Sequence, residues 1–124
     1  MEVFVQPSIV VERVIDGDTV ELSEPVLGLT RIRLDGVDTP ETRRGQCKRE
    51  RHLAYEAKGY ARGLLEGKTV KVHTTGKRGP YGRLIARIEI DGQDYGRLMI
   101  AKGYAVRWTQ AWRETPKAKR WCNT

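Results

Sequence analysis

Two short runs place carboxylates where they could share a cation. Asp16 and Asp18 lie in VIDGDTVEL (14–22), and Asp35, Asp38 and Glu41 lie in RLDGVDTPE (33–41). Hard oxygen donors with no histidine or cysteine beside them suit calcium or magnesium rather than zinc. Each run also has an ordinary explanation. Asp-Gly is a common hairpin turn, and Pro40 forces the residue before it out of helix, so DTPE can simply end a strand. Both runs nevertheless fall at strand ends, which an antiparallel barrel can bring together. Carboxylates placed so repel one another unless a cation neutralises them.

Arginines supply a second half. Arg33 precedes the acidic loop in its own strand, and Arg83 follows a Pro-Tyr-Gly turn at the start of a later one. Most arginines are solvated face residues. Carboxylate-held metal beside arginine forks, however, is what phosphoryl transfer needs: charge stabilised on phosphate oxygens, and a carboxylate to position or deprotonate water.

The elements that must position these groups are mostly strands. SIVVERVID (8–16) is a β-branched apolar run, DGD is turn chemistry, and TVEL alternates. SEPVLG (23–28) reads as a loop, and TRIRLDGV (30–37) alternates again, with Ile32, Leu34 and Gly36 on one side. From Lys48 to Leu65 the spacing turns helical, with Leu53, Ala57, Tyr60, Ala61 and Leu64 on a face and Gly67 at the C-terminal cap. TVKVHT (69–74) and RLIARIEI (83–90) are strands around a GKRGPYG loop. Asp94 caps a short helix, YGRLMIAK, ending at Gly103. Three strands, a helix, two strands, a helix and a tail predict a mainly β (α+β) domain: a small five-stranded OB-type Greek-key barrel with two to three helices.

The 124 residues are one domain's worth, 1–124 throughout. Twenty-three basic against 16 acidic residues leave a net charge of +7, which favours polyanionic partners. The charge concentrates in RRGQCKRER (43–51) and RWTQAWRETPKAKRW (107–121). No apolar run is long enough for a membrane helix. The start, MEVFVQPSIVV, lacks a basic n-region, so no signal peptide is expected in it. A cytoplasmic or phage-encoded protein and the mature form of an exported one both stay open. Cys47 and Cys122 fit no zinc spacing; two unrelated thiols and a disulfide tying the tail to the first helix are both open. His52 and His73 read as structural.

IDGDTVEL, RLDGVDTPE and YGRLIA, in this order and at these separations, strongly resemble the staphylococcal nuclease (thermonuclease) family. The resemblance covers about residues 9–107, leaving a basic, tryptophan-containing tail at 108–124. It implies an OB-fold and a Ca²⁺-dependent, sugar-nonspecific nuclease that cleaves DNA and RNA at the P–O5′ bond and leaves 3′-phosphates. Single-stranded substrate and a monomer are expected. By resemblance, Asp18 and Asp38 ligate Ca²⁺ through carboxylates and Thr39 through its carbonyl, with Asp16 in support behind them. Glu41 is the general base, Arg33 and Arg83 grip the scissile phosphate, and Tyr81 contacts a nucleotide phosphate. Two departures stand out. Proline at position 80 removes one phosphate contact, which Lys77 or Arg78 would replace. The segment after the second helix lacks the family's base-stacking tyrosine pair, for which Trp108 or Tyr104 would substitute. The alternative is an inactive nucleic-acid- or protein-binding module on the same fold; such copies typically lose the acids or arginines retained here.

Overall fold

A computed structural model describes residues 3–122. Its first strand, β1 (Phe4–Asp16), is long enough to serve two neighbours. The first half pairs antiparallel with β5 (Thr69–Thr74), Phe4 opposite Thr74 through Val10 opposite Thr69. The second half pairs with β2 (Thr19–Val26), Val11 opposite Leu22 through Asp16 opposite Thr19. Irregular register at Gln6/Ile9, Val11/Arg13 and Val14/Asp16 lets so long a strand bend between partners. β2 continues into β3 (Leu29–Leu34), and β5 pairs with β7 (Arg83–Ile90). The parallel pairing of β3 with β7, Ile32 opposite Leu84, closes the five-stranded barrel. The expected OB-type fold is what forms, with helices added.

Alternation along these strands sends Val11, Leu22, Ile32, Val72, Leu84 and Ile88 into one core, each at most 1% exposed. The helix α1 (Lys48–Leu65) lies where its spacing predicts, with Gly67 past its end in the left-handed region (φ 75°). Its buried stripe is Ala54, Ala57, Ala61 and Leu65, and Leu53, Tyr60 and Leu64 only flank it. Small alanines, not the larger apolar residues, let the helix approach the barrel closely. Asp94, ending β8 (Gln93–Asp94), caps α2 (Tyr95–Ala101) by accepting from the Arg97 N–H at 3.0 Å.

Three local expectations give way. SEPVLG is not all loop: β2 runs on to Val26, which is 2% exposed, so burial extends the strand. The chain reverses at Leu27 and Gly28, both at positive φ. Gly36 does not face the core; it is exposed at φ 78°, in the turn before β4 (Val37–Asp38). Within GKRGPYG, β6 (Arg78–Gly79) pairs with β7 and Pro80–Gly82 forms a 3₁₀ turn. The tail is more ordered than its polarity suggests. β9 (Val106–Arg107) pairs with β4, and α3 (Gln110–Glu114) and α4 (Lys117–Arg120) follow. Cys47 and Cys122 form a disulfide with Cα atoms 5.9 Å apart. Among the described residues no helix is long and apolar enough to cross a membrane.

Candidate active site

The DGD segment between β1 and β2 is held from beneath. The buried Tyr95 hydroxyl donates to the Gly17 carbonyl at 2.6 Å. Gly17 is not in the left-handed region, so its role is space rather than handedness. A Cβ there would lie 3.1 Å from Met99 Cε and 3.3 Å from Thr39 Cβ and Oγ1. Glycine thus lets the first acidic turn pack directly on the loop carrying the second. That approach puts Asp16, Asp18, Asp38, Thr39 and Glu41 on one cleft of about 820 Å³.

Arg33 crosses between the two acidic turns. Its Nη1 donates to the carbonyls of Leu34 (2.6 Å) and Val37 (3.0 Å), and its Nη2 lies 3.4 Å from Asp18 Oδ2. Backbone anchors hold the guanidinium on the cleft wall, so little further ordering is needed to meet an anion. Asp18 Oδ1 accepts from the Thr19 hydroxyl at 2.9 Å. Asp38 is held differently: the indole Nε1–H groups of Trp112 and Trp121 both donate to its Oδ2, at 2.9 and 3.2 Å.

The carboxylates burden one another. Burial pushes the Asp16 carboxyl from its ordinary 3.8 up to about 6, and Asp18 adds to the rise. Burial also raises Asp38, against the lowering effect of its two indole donors. Glu41 stands exposed at the rim, yet partial desolvation, then Asp18, Glu50 and Asp38, raise its carboxyl too. Asp16 Oδ2 accepts from the Thr42 N–H at 3.4 Å, but its Oδ1 is buried without a hydrogen-bond partner, as is Thr39 Oγ1. Crowded, partly unpartnered oxygen donors fit a hard divalent cation, which would reverse these shifts. Among the described residues no three histidine, cysteine or carboxylate side chains close into a ready cage. Two carboxylates and a backbone carbonyl are a sparse set, which calcium's flexible shell tolerates when waters complete it.

Arg83 and Tyr81 line the same cleft. Arg83 Nε donates to the Pro80 carbonyl at 3.0 Å. Tyr81 sits at φ 63° and is 75% exposed, with the Arg83 guanidinium 5.6 Å from its ring centroid. Arg44, in the basic run before α1, donates to the Tyr81 hydroxyl at 3.2 Å and lowers the phenol's pKa. Trp108 also lines the cleft, half-buried, with the guanidinium groups of Arg120 and Arg113 at 5.0 and 5.9 Å from its ring centroid. Lys77 and Arg78 are not among the lining residues; Arg78 Nη2 instead binds the Leu27 carbonyl at 3.0 Å. His52 and His73 are not among the cleft's lining residues, and each stands beside a glutamate: Glu56 at 3.2 Å and Glu89 at 3.1 Å.

Several residues that shape the site escape sequence reasoning. Glu50, 4% exposed at the start of α1, accepts from the Glu41 N–H at 3.0 Å and the Gln46 N–H at 2.8 Å. A buried glutamate in a basic run carries no periodic signal. Trp112, Trp121, Lys117 and Arg120 of the tail also reach the site region. Aromatics spaced in a polar segment hint at packing, but not at their partner.

Residues 31–122 match the family described as staphylococcal nuclease homologue. Endonuclease YhcR of Bacillus subtilis (strain 168) is 35% identical over 104 residues, covering 77% of this chain. The chain spans 8% of the length of that relative.

Proposed function

Because the chain belongs to the staphylococcal nuclease homologue family, we propose that it is a Ca²⁺-dependent nuclease. It hydrolyses the P–O5′ bond of DNA and RNA and leaves 3′-phosphate ends. One observation carries this reading: Asp18, Asp38 and Glu41 meet Arg33 and Arg83 on a single cleft. Ca²⁺, held by the carboxylates of Asp18 and Asp38 and the carbonyl of Thr39, would neutralise phosphate charge and acidify an adjacent water.

The protein's own groups do the rest. Glu41 takes the proton of the attacking water. Desolvation, then Asp18, Glu50 and Asp38, raise its carboxyl pKa; a bound Ca²⁺ would offset that rise, so Glu41 acts through its placement beside an acidified water. Glu50 holds the Glu41 backbone through the 3.0 Å hydrogen bond and so fixes where that base stands. Arg33 and Arg83 grip the scissile phosphate with charge-assisted hydrogen bonds, and one of them assists departure of the 5′-oxygen. Both guanidinium groups are tethered to backbone carbonyls, so they are oriented before substrate arrives. Tyr81 and Arg44 face a flanking phosphate, and Trp108 offers a ring to a base.

The test is release of acid-soluble nucleotides from single-stranded DNA and RNA, with Ca²⁺ or with a calcium chelator. Release only with Ca²⁺, giving phosphatase-sensitive 3′ ends, is expected. Folded protein that binds substrate but releases nothing with Ca²⁺ would assign the chain to the binding-module alternative.

A further inference from the structure

The tail contributes one contact that neither motif nor composition foreshadows. Trp112, on α3, and Trp121, just after α4, converge on a single oxygen, Oδ2 of Asp38, at 2.9 and 3.2 Å. Indole N–H only donates, so Oδ2 is the acceptor in both contacts. Two donors on one oxygen also fix rotation of the carboxylate about its last bond. Among the described residues no hydrogen bond falls on Asp38 Oδ1.

Both indoles are themselves held. Their rings meet edge to face, with centroids 5.3 Å apart and planes at 76°. The Thr109 hydroxyl caps α3 by accepting from the Trp112 N–H at 3.1 Å. Arg120 Nε donates to the carbonyls of Trp112 (3.0 Å) and Thr115 (2.9 Å), clasping the two short helices together. Trp121 adjoins Cys122, whose disulfide ends at Cys47, the N-cap of α1. This is a built support, not a chance contact of a loose terminus.

We propose that Trp112 and Trp121 are positioning residues for the cation site: their indole N–H groups hold Asp38 by Oδ2 and leave Oδ1 to the calcium ion. The proposal rests on Asp38 being a calcium ligand. Partners that orient a ligand from behind typically change metal affinity by about 10–100-fold.

The test compares Ca²⁺ affinity by titration calorimetry for the wild-type protein, Trp112→Phe, Trp121→Phe, the double variant and Asp38→Ala. Phenylalanine keeps an aromatic ring for packing while removing the N–H donor. Each single variant is expected to bind Ca²⁺ several-fold more weakly, and the double variant about 10–100-fold more weakly. Their far-UV circular dichroism should match wild type. Wild-type affinity in the double variant, with Asp38→Ala unable to bind, would overturn the positioning role and leave the site intact. Wild-type affinity in Asp38→Ala would instead remove Asp38 from the cation site. In the unsubstituted protein, the indole ¹H–¹⁵N resonances of Trp112 and Trp121 should both shift on adding Ca²⁺. Resonances that stay in place while calcium binds would also overturn the proposal, whatever the variants' stability.

Discussion

Part of the cleft wall is built by the barrel and part by the tail, and the two are held by different physics. Asp16, Asp18 and Arg33 sit at the ends of β1–β3, whose backbones are locked into ladders over an apolar core. Neither α3 nor α4 contributes a buried residue. Those helices have one turn or little more, too short to persist on propensity. They are held by the Thr109 cap of α3, the Arg120 clasp, the β4–β9 pairing and the Cys47–Cys122 disulfide. Geometry bearing on catalysis can thus rest on a core on one side and on point attachments on the other. The point-attached wall should be the one that yields first.

The largest effect should come where the walls meet the chemistry. Glu41→Gln keeps size and shape but cannot accept the proton, so kcat should fall about 10²–10⁴-fold. Substrate affinity, measured as Kd in a calcium-chelated mixture, should change little. An unaltered kcat would remove Glu41 from the mechanism. Arg83→Ala should lower kcat about 10²–10³-fold. A variant that loses affinity alone would make Arg83 a binding residue.

Next comes the disulfide, which bears directly on the difference between the walls. It closes a loop of 75 residues. Cys47→Ser with Cys122→Ser should cost about 2–4 kcal/mol if the protein unfolds as one unit. Hydrogen exchange resolves where the loss falls: amides of residues 110–120 should lose protection while those of β1, β2 and β3 keep theirs. Equal loss in both regions would show the tail to be an integral part of the barrel's cooperative unit.

The smallest effect concerns the crowded carboxylates of the barrel wall. Folding raises the Asp16 pKa from 3.8 to about 6, so the folded state binds its proton more tightly than the unfolded chain. Ionised Asp16 therefore costs stability above about pH 6, and the cost fades as pH falls toward 4. Asp16→Asn should raise unfolding stability at pH 7 in the presence of a chelator, by on the order of 1 kcal/mol, read as a higher Tm. At pH 4 and below the gain should vanish. A gain equal at both pH values would assign the effect to packing instead of charge.

Much of the barrel wall was legible along the chain. The strands show their period of two, α1 shows its start and its Gly67 stop, and Asp94 its cap, because local conformation follows short-range residue choice. The acidic turns were legible as residue types, and their family resemblance supplied their order. The reach of β2 to Val26 was hidden, because burial of one valine outweighed turn-forming neighbours. The alanine stripe of α1 was hidden too, because hydrophobic size suggests a face and close packing prefers small residues there.

By itself, the sequence determined which residues could bind a cation, take a proton and grip a phosphate, and which family pattern they follow. Only the tertiary structure decided what stands behind them. Tyr95 under Gly17, Glu50 under Glu41, and the two indoles on Asp38 join residues up to 83 positions apart. Such contacts leave no periodicity, since neither partner's neighbours encode the other. They exist because closing β3 onto β7 and tying Cys122 to Cys47 bring distant segments to the same few ångströms.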